Sequence, residues 1–323
     1  MENKETVSVI IPCYYSEKTI AKAVHLAREE LLRLGYDYEF VLVNDGSTDG
    51  TFAQIRALCA EDAKVKGVDL SRNFGQHSAL LAALHYVTGD YVLSMDDDLQ
   101  THPSQFGKLL DAIHESNYDV VYGWYPQKHH NWFRNLGSRF EGWTMRVLTG
   151  RPKGLKVSSF WVARSFVCRE ALSYSGPYPQ MSGLLMRITK NVGNVPLEHF
   201  DRAVGQSGYN LKSLIRLWST STNFSVLPLR FSLLCGALFG AAGIIGAILV
   251  VIQKLMDPTV LTGWSSLMVV ILLAAGVNLI CLGLVGEYVG RMFMIANKQP
   301  QYVVRTRCNL GAADGKQHKE EEE

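Results

Sequence analysis

Several familiar signatures are missing from this sequence. Neither G-x-G-x-x-G nor G-x-x-x-x-G-K-[ST] occurs, which argues against the phosphate cradles of dinucleotide-dependent dehydrogenases and P-loop ATPases. The six cysteines, Cys13, Cys59, Cys168, Cys235, Cys281 and Cys308, form no C-x-x-C pair. Scattered in this way they read as reduced thiols in a cytosolic compartment. Met1-Glu2-Asn3-Lys4-Glu5 leads straight into a strand pattern, so no signal peptide is expected. Charge is almost absent from Val226 to Gly290, and the net charge of +2 says little about partners. Nucleic acid is not expected among them. With 323 residues there is room for one large domain or two smaller ones, with a sizeable core.

What is present begins with residues 7–12, a β-branched apolar run of the kind buried on both faces of a sheet, stopped by Pro12. Ile20, Ala23, Val24, Ala27, Leu31 and Leu34 then recur at helical spacing, with Gly35 placed as a C-terminal cap. A second strand over residues 38–43 delivers the chain to Asn44-Asp45-Gly46-Ser47-Thr48-Asp49-Gly50, a turn before a helix from Thr51 to about Cys59. Residues 65–70 make a third strand. Ser71-Arg72-Asn73-Phe74-Gly75-Gln76 leads into a helix over residues 77–87, and residues 91–95 make the fourth strand. Strands alternating with helices through short loops predict a parallel α/β sheet, with ligands at the carboxyl ends of its strands. Asp45, Arg72 and Asp96 to Asp98 all fall at such ends, so three loops should converge on one crevice, with a nucleotide-binding site as the leading expectation.

The fourth strand ends on Met95-Asp96-Asp97-Asp98-Leu99-Gln100. Three consecutive carboxylates after a buried strand repel one another and lose solvation, which is costly without a counter-charge. Either the segment is a solvated acidic turn or it holds a divalent cation. In an extended segment Asp96, Asp98 and Gln100 would share one side and Asp97 the other. Two carboxylates and an amide oxygen suit Mg²⁺ or Mn²⁺ holding a substrate's phosphates.

Ser8-Val9-Ile10-Ile11-Pro12-Cys13-Tyr14, Val43-Asn44-Asp45-Gly46-Ser47-Thr48-Asp49, Arg72-Asn73-Phe74-Gly75 and Asp96-Asp97-Asp98-Leu99-Gln100 stand in an order that resembles family 2 glycosyltransferases of the GT-A fold. The resemblance is strongest to the polyprenyl-phosphate glycosyltransferases, which include dolichol-phosphate mannose synthase and bacterial undecaprenyl-phosphate sugar transferases. It implies a nucleotide-diphospho-sugar transferase domain in which Pro12, Tyr14, Asp45, Arg72, Asp96 and Asp97 serve the nucleotide. Asp96, Asp98 and Gln100 would hold the cation. Arg202, in Arg202-Ala203-Val204-Gly205-Gln206-Ser207-Gly208-Tyr209, would meet the donor diphosphate or the acceptor phosphate. Asp98, Arg202 and Lys128 are the candidate catalytic residues, and Arg134 and Arg202 the candidates for the lipid phosphate. On the residues alone, Pro12 and Tyr14 could simply end a strand, Asp45 form an Asx-turn, and Arg72 and Arg202 make structural ion pairs.

Departures from the family pattern cluster where the sugar and acceptor would be met. Tyr15-Ser16 replace Asn-Glu, with Glu17 one residue late, and Thr101-His102 precede Pro103 in place of an acidic residue. Trp124-Tyr125-Pro126 follows the fifth strand where relatives often carry arginine, leaving Lys128 as the nearest cation. Ser158-Ser159-Phe160-Trp161 replaces a Gly-Asp-Phe-Arg type stretch, and Gly208 replaces a lysine. They bear on the identity of the donor sugar more than on the reaction.

Residues 131–149 read as an amphipathic helix with Trp132, Phe133, Leu136, Phe140, Trp143 and Val147 near one face and Arg134, Arg139 and Arg146 off it. It either lies in the membrane interface or packs on the core. Arg151, Lys153 and Lys156 continue the basic run, which would attract anionic lipid head groups. Residues 231–252 and 267–285 carry no charge, and each is long enough for the roughly 30 Å of bilayer hydrocarbon. Basic residues flank the pair on both outer sides, which places both termini in the cytoplasm. The expected division is a cytoplasmic GT-A catalytic domain over 1–209, a juxtamembrane helix over 210–230, a two-helix transmembrane hairpin over 231–290, and a cytoplasmic tail over 291–323, disordered at its end.

The expected activity is inverting, Mg²⁺- or Mn²⁺-dependent transfer of a sugar from a nucleotide-sugar donor, a UDP-sugar in preference, to a polyprenyl phosphate such as undecaprenyl phosphate. It would take place at the cytoplasmic face of the inner membrane, with a homo-oligomer left open. Three other readings stand beside it: a polysaccharide synthase, whose Q-x-x-R-W element is missing; a phosphoglycosyl transferase; and a membrane-anchored nucleotide-sugar-binding protein without turnover.

Overall fold

In a computed structural model the residues described are 4–99, 101–125, 152, 154–198, 227–256 and 263–310. Val7 to Ile11 in β1 (Thr6–Cys13) and Glu39 to Asn44 in β2 (Asp37–Asn44) are buried without a break. Strands rich in Val, Ile and Leu with no solvent face belong in the middle of a sheet covered on both sides. These two are joined by β3 (Val65–Leu70), β4 (Tyr91–Ser94), β5 (Val120–Trp124), β6 (Trp161–Arg164), β7 (Val192–Pro196) and β8 (Val304–Cys308) in one sheet of order β7-β5-β6-β4-β1-β2-β3-β8. The helices beside it are α1 (Ile20–Arg33), α2 (Thr51–Glu61), α3 (Gln76–Leu84), α4 (Phe106–Glu115), α5 (Ser165–Ala171) and α6 (Met181–Ile188). α1 buries Ile20, Ala23, Val24, Ala27 and Leu31, the stripe that the 3.6-residue period predicts, and Gly35 follows its end at φ 88°. α3 stops at Leu84, three residues short of the predicted end.

β4, β1, β2 and β3 are parallel neighbours, as alternating strands and helices predict. The sheet as a whole is mixed, however: β6 runs antiparallel to β4 and β5, and β8 antiparallel to β3. A crossover helix enforces parallel direction only between the strands it joins. β6 and β8 stand far along the sequence from the strands before them, and no local pattern sets their direction.

A buried charge sits within this sheet. Glu39 is 6% exposed and accepts hydrogen bonds from Lys66 Nζ (2.8 Å), Ser8 Oγ (2.5 Å), Thr88 N (2.5 Å) and Thr88 Oγ1 (2.8 Å). Burial pushes its carboxyl up, but the bonds from Lys66, Ser8 and Thr88 outweigh burial and hold it below the usual carboxylate range. Such a group stabilises the fold above the unfolded value of about 4.3, and the contribution is lost as the pH falls through the lower folded value. Glu39→Gln should therefore flatten the acid limb of stability against pH, read by thermal unfolding from neutral to acidic pH. An unchanged limb would assign acid sensitivity to other carboxylates.

Residues 4–198 and 300–310 form one compact unit, and residues 227–256 and 263–299 a second. The second consists of α7 (Leu227–Met256) and α8 (Trp264–Ala296), of 30 and 33 residues. Both helices extend past the predicted spans at either end. Among the described residues, Leu273–Ala296 is long and apolar enough to cross a membrane, with mean hydropathy 1.6, and α7 carries a shorter apolar stretch, Ser232–Gly246.

Part of the stretch expected as a tail from residue 291 has regular structure. α8 continues to Ala296, and residues 304–308, expected to turn disordered beyond Thr306, form β8 along the edge of β3. An open edge leaves backbone N–H and C=O groups unpaired, and β8 satisfies them whatever its polarity. The interfacial helix expected at 131–149 lies outside the described residues. So does most of the juxtamembrane helix expected at 210–230, whose last four residues belong to α7.

Candidate active site

The carboxyl ends of β4, β1, β2 and β3 stand side by side, and the loops that leave them carry the polar residues singled out above. β4 gives way after Ser94 to a turn in which Leu99 takes φ 60°. Asp97 and Asp98 lie in that turn, and the carboxylates of Asp96 and Asp97 meet different elements. Asp97 turns toward the loop after β1, accepting from Tyr14 N at 3.4 Å and from Ser16 Oγ. Asp96 turns toward α3 and β6, with Oδ1 accepting from Gln76 Nε2 at 2.8 Å and Oδ2 from Ser159 Oγ at 2.5 Å. Its backbone N–H donates to Thr101 Oγ1 at 3.0 Å, which closes the turn. Asp98 is half-buried on the same turn.

Electrostatics follow from the crowding. Burial is the largest cause that pushes Asp97 up to about 7; the Tyr14 N–H opposes it, and the charges of Asp96 and Asp98 push further upward. Behind burial, the same two charges also push the Tyr125 hydroxyl up to about 12. Negative potential is concentrated where β4 ends.

Asp45, buried at the end of β2, is a clamp between loops and not a local Asx-turn. Oδ1 accepts from Phe74 N at 2.7 Å and Oδ2 from Gly75 N at 2.9 Å. Burial pushes its carboxyl up, and the two N–H groups work against that. The loops meet so closely that a Cβ on Gly46, which lies at φ 68°, would come within 2.3 Å of the Arg72 carbonyl carbon, so only glycine fits. Arg72 is exposed and lies over the Phe74 ring, 4.5 Å from its centroid. Pro12 is half-buried at the end of β1, and Tyr14 is half-exposed beside Tyr15, with ring centroids 4.6 Å apart. Tyr15 N donates to Ser47 Oγ at 3.0 Å, and Gly50 N to Glu17 Oε2 at 3.1 Å, joining the loops after β1 and β2.

Pro12, Tyr14, Asp45, Arg72, Asp96, Asp97 and Asp98 are thus placed on adjoining loops at one end of the sheet. Gln100, Lys128, Arg134 and Arg202 lie outside the described residues. Sequence reading missed Ser16, Ser47, Gln76 and Thr101 as supports of this cluster, and Ser159 as a brace for Asp96. Small polar residues in loops look generic, but Ser16, Thr101 and Ser159 are all departures from the family pattern, and all three contact Asp96 or Asp97.

Among the described residues, no group of three or more His, Cys, Asp or Glu side chains is placed to hold a metal ion by itself. Mg²⁺ commonly takes one or two carboxylates and completes its shell with water and substrate phosphates. The hard oxygens of Asp96 and Asp98, with Asp96 braced by Gln76 and Ser159, fit that demand.

The model of glycosyl transferase family 2 matches residues 8–174, more than half of the chain. The chain belongs to glycosyl transferase family 2. This glycosyltransferase has a GT-A-like α/β nucleotide-sugar transferase fold on a mixed sheet. The GtrB C-terminal hairpin model matches residues 227–292, the region of α7 and α8. The undecaprenyl-phosphate 4-deoxy-4-formamido-L-arabinose transferase of Edwardsiella ictaluri (strain 93-146) is 29% identical over 317 residues, 97% of either chain. The uncharacterized glycosyltransferase YkcC of Bacillus subtilis (strain 168) is 29% identical over 300 residues, 92% of this chain and 93% of its own. Among solved structures, mannosyl-3-phosphoglycerate synthase from Rubrobacter xylanophilus is similar over 70% of this chain and 74% of its own, with 17% identity and a TM-score of 0.49.

Proposed function

We propose that this glycosyltransferase moves a sugar, with inversion at the anomeric carbon, from a nucleotide diphosphate donor, a UDP-sugar in preference, to undecaprenyl phosphate. The observation that carries the reading is the acidic turn after β4, where Asp97 meets the loop after β1 and Asp96 meets Gln76 at the start of α3. The E. ictaluri relative, similar over nearly its whole length, supports the polyprenyl acceptor by its name.

Bound at Asp96 and Asp98 with Gln100, Mg²⁺ or Mn²⁺ would offset the charge that builds on the leaving nucleoside diphosphate. The chain's own residues set the stage. Gln76 and Ser159 hold the Asp96 carboxylate in one orientation, and Asp97 ties the acidic turn to the loop after β1. Asp45 draws the β3–α3 loop to the end of β2, which closes the nucleotide side of the crevice. An attacking phosphate, with a second pKa near about 6, is largely dianionic at neutral pH and needs no strong general base. Arg202, Lys128 and Arg134 are assigned to the phosphates and the lipid on sequence grounds.

α7 and α8 are assigned as a transmembrane hairpin that holds the catalytic domain at the cytoplasmic face. At about 1.5 Å per residue each helix exceeds the roughly 30 Å of bilayer hydrocarbon. Leu233, Leu255 and Met256 in α7 and Leu279, Ile280 and Phe293 in α8 are each two-thirds or more exposed, a surface that calls for lipid.

The test is incubation of the purified full chain with Mg²⁺ or Mn²⁺, undecaprenyl phosphate and a panel of UDP- and GDP-sugars, followed by mass analysis. A glycosyl-phosphate lipid with release of nucleoside diphosphate is expected. Release of nucleoside monophosphate would establish sugar-phosphate transfer instead, and donor binding without lipid product would establish a binding protein.

A further inference from the structure

The segment that follows α8 is built into the catalytic unit at several points. Gln301 Nε2 donates to the carbonyls of Tyr174 (2.8 Å) and Gly176 (2.6 Å), and Ser71 N donates to Val303 O at 2.8 Å. At the other end, Asn309 Nδ2 donates to Cys59 O (2.5 Å) and Val65 O (2.9 Å), which pins β8 across the end of α2 and the start of β3. Between these anchors stands Arg305. Its Nη2 donates to Ser71 O at 2.5 Å, and its Nη1 lies 3.6 Å from Asp69 Oδ2.

Both partners lead to the donor side of the site. Asp69 is 5% exposed, and its Oδ1 accepts from Asn44 Nδ2 at 2.7 Å. Asn44 is buried, and its Oδ1 in turn accepts from Ser47 N at 3.3 Å. Asn44 immediately precedes Asp45, and Ser71 immediately precedes Arg72. One guanidinium therefore grips the root of the β3–α3 loop directly, at Asp69 and Ser71, and reaches the root of the β2–α2 loop through the Asn44–Asp69 hydrogen bond. A guanidinium can meet both partners at once because its donors form a rigid fork, whereas an ammonium is a point charge.

We propose that Arg305 is a positioning residue for the nucleotide donor, fixing the spacing of the β2–α2 and β3–α3 loops through Asp69, Asn44 and Ser71 without touching the donor. The segment beyond the apolar helices is then part of the donor site's scaffold. The inference rests on the reading of those loops as the nucleotide site. Arg305 is 60% exposed, so its ion pair adds little to overall stability, and its loss should appear in loop geometry before it appears in folding.

The experiment measures UDP and GDP affinity by calorimetry, together with KM and kcat for donor and acceptor, on the full chain and on Arg305→Ala and Arg305→Lys. Arg305→Ala should weaken nucleotide binding and raise donor KM roughly tenfold, the cost of a small misplacement of binding groups. Acceptor KM and Tm should stay close to wild type, and Arg305→Lys should recover part of the loss. Unchanged nucleotide affinity in folded Arg305→Ala overturns the proposal, as does a loss of activity that merely follows a fall in Tm. If Arg305→Ala does not fold, Asp69→Asn removes the same attraction at equal size, and unchanged affinity there overturns the proposal equally. A wild-type chain that binds neither UDP nor GDP overturns the nucleotide-site reading itself. Wild-type binding with equally tight variants overturns the role of Arg305 alone.

Discussion

Asp98→Asn is expected to leave the protein folded while lowering the rate of sugar transfer by roughly a hundred- to a thousandfold, the usual scale for removing one pre-placed electrostatic group from a reaction site. The substitution keeps the side chain's size and takes one negative charge from a half-buried turn where Asp97 is already burdened by both neighbours. Thermal stability should therefore hold or rise slightly, because like charges at short range oppose folding. Initial rates against Mn²⁺ or Mg²⁺ concentration, with thermal unfolding on the same preparation, give the answer. Wild-type turnover with unaltered metal dependence would remove Asp98 from the proposed cation site. Failure to fold would instead make Asp98 a structural residue.

Lys66→Met is expected to cost about 3–5 kcal/mol of stability, because it leaves the buried Glu39 carboxylate without its counter-charge. Lys66 Nζ also donates to Tyr86 O at 2.7 Å, so that carbonyl loses a partner as well. Against a typical net stability of about 5–15 kcal/mol, this is a large fraction. The double variant Lys66→Met with Glu39→Gln should recover part of the loss, since a neutral amide removes the unpaired buried charge while its oxygen still accepts from Ser8 Oγ and Thr88 N. The network sits at Ser8, Glu39 and Thr88, away from the carboxyl ends of the strands, so the donor KM of the folded fraction should not change. Denaturant unfolding of both variants measures the effect. A loss below about 1 kcal/mol would mean that the Ser8 and Thr88 bonds satisfy Glu39 by themselves.

The parts of this glycosyltransferase that can be read along the chain are those set by near neighbours. The apolar runs of β1 and β2, the buried stripe of α1 and the glycine after it all obey periods of two or about three and a half residues, and these survive folding. Asp45 looks like a turn residue in sequence, because the N–H groups it accepts from belong to residues 74 and 75, on another strand's loop. Ser159 looks like a lost acidic motif until β6 enters the sheet antiparallel to β4 and brings it against Asp96.

Composition and local pattern by themselves determined that this chain alternates strands and helices, carries an acidic turn after a buried strand, and contains two long uncharged apolar segments over 231–252 and 267–285. Only the tertiary structure decided which partners Asp96 and Asp97 meet, that the sheet is mixed, and that residues 304–308 pair with its edge beside β3. The reason is range: periodicity reports what a segment does with its own neighbours, whereas a sheet edge or a buried carboxylate takes whichever partner the fold brings within hydrogen-bonding distance, at any separation along the chain.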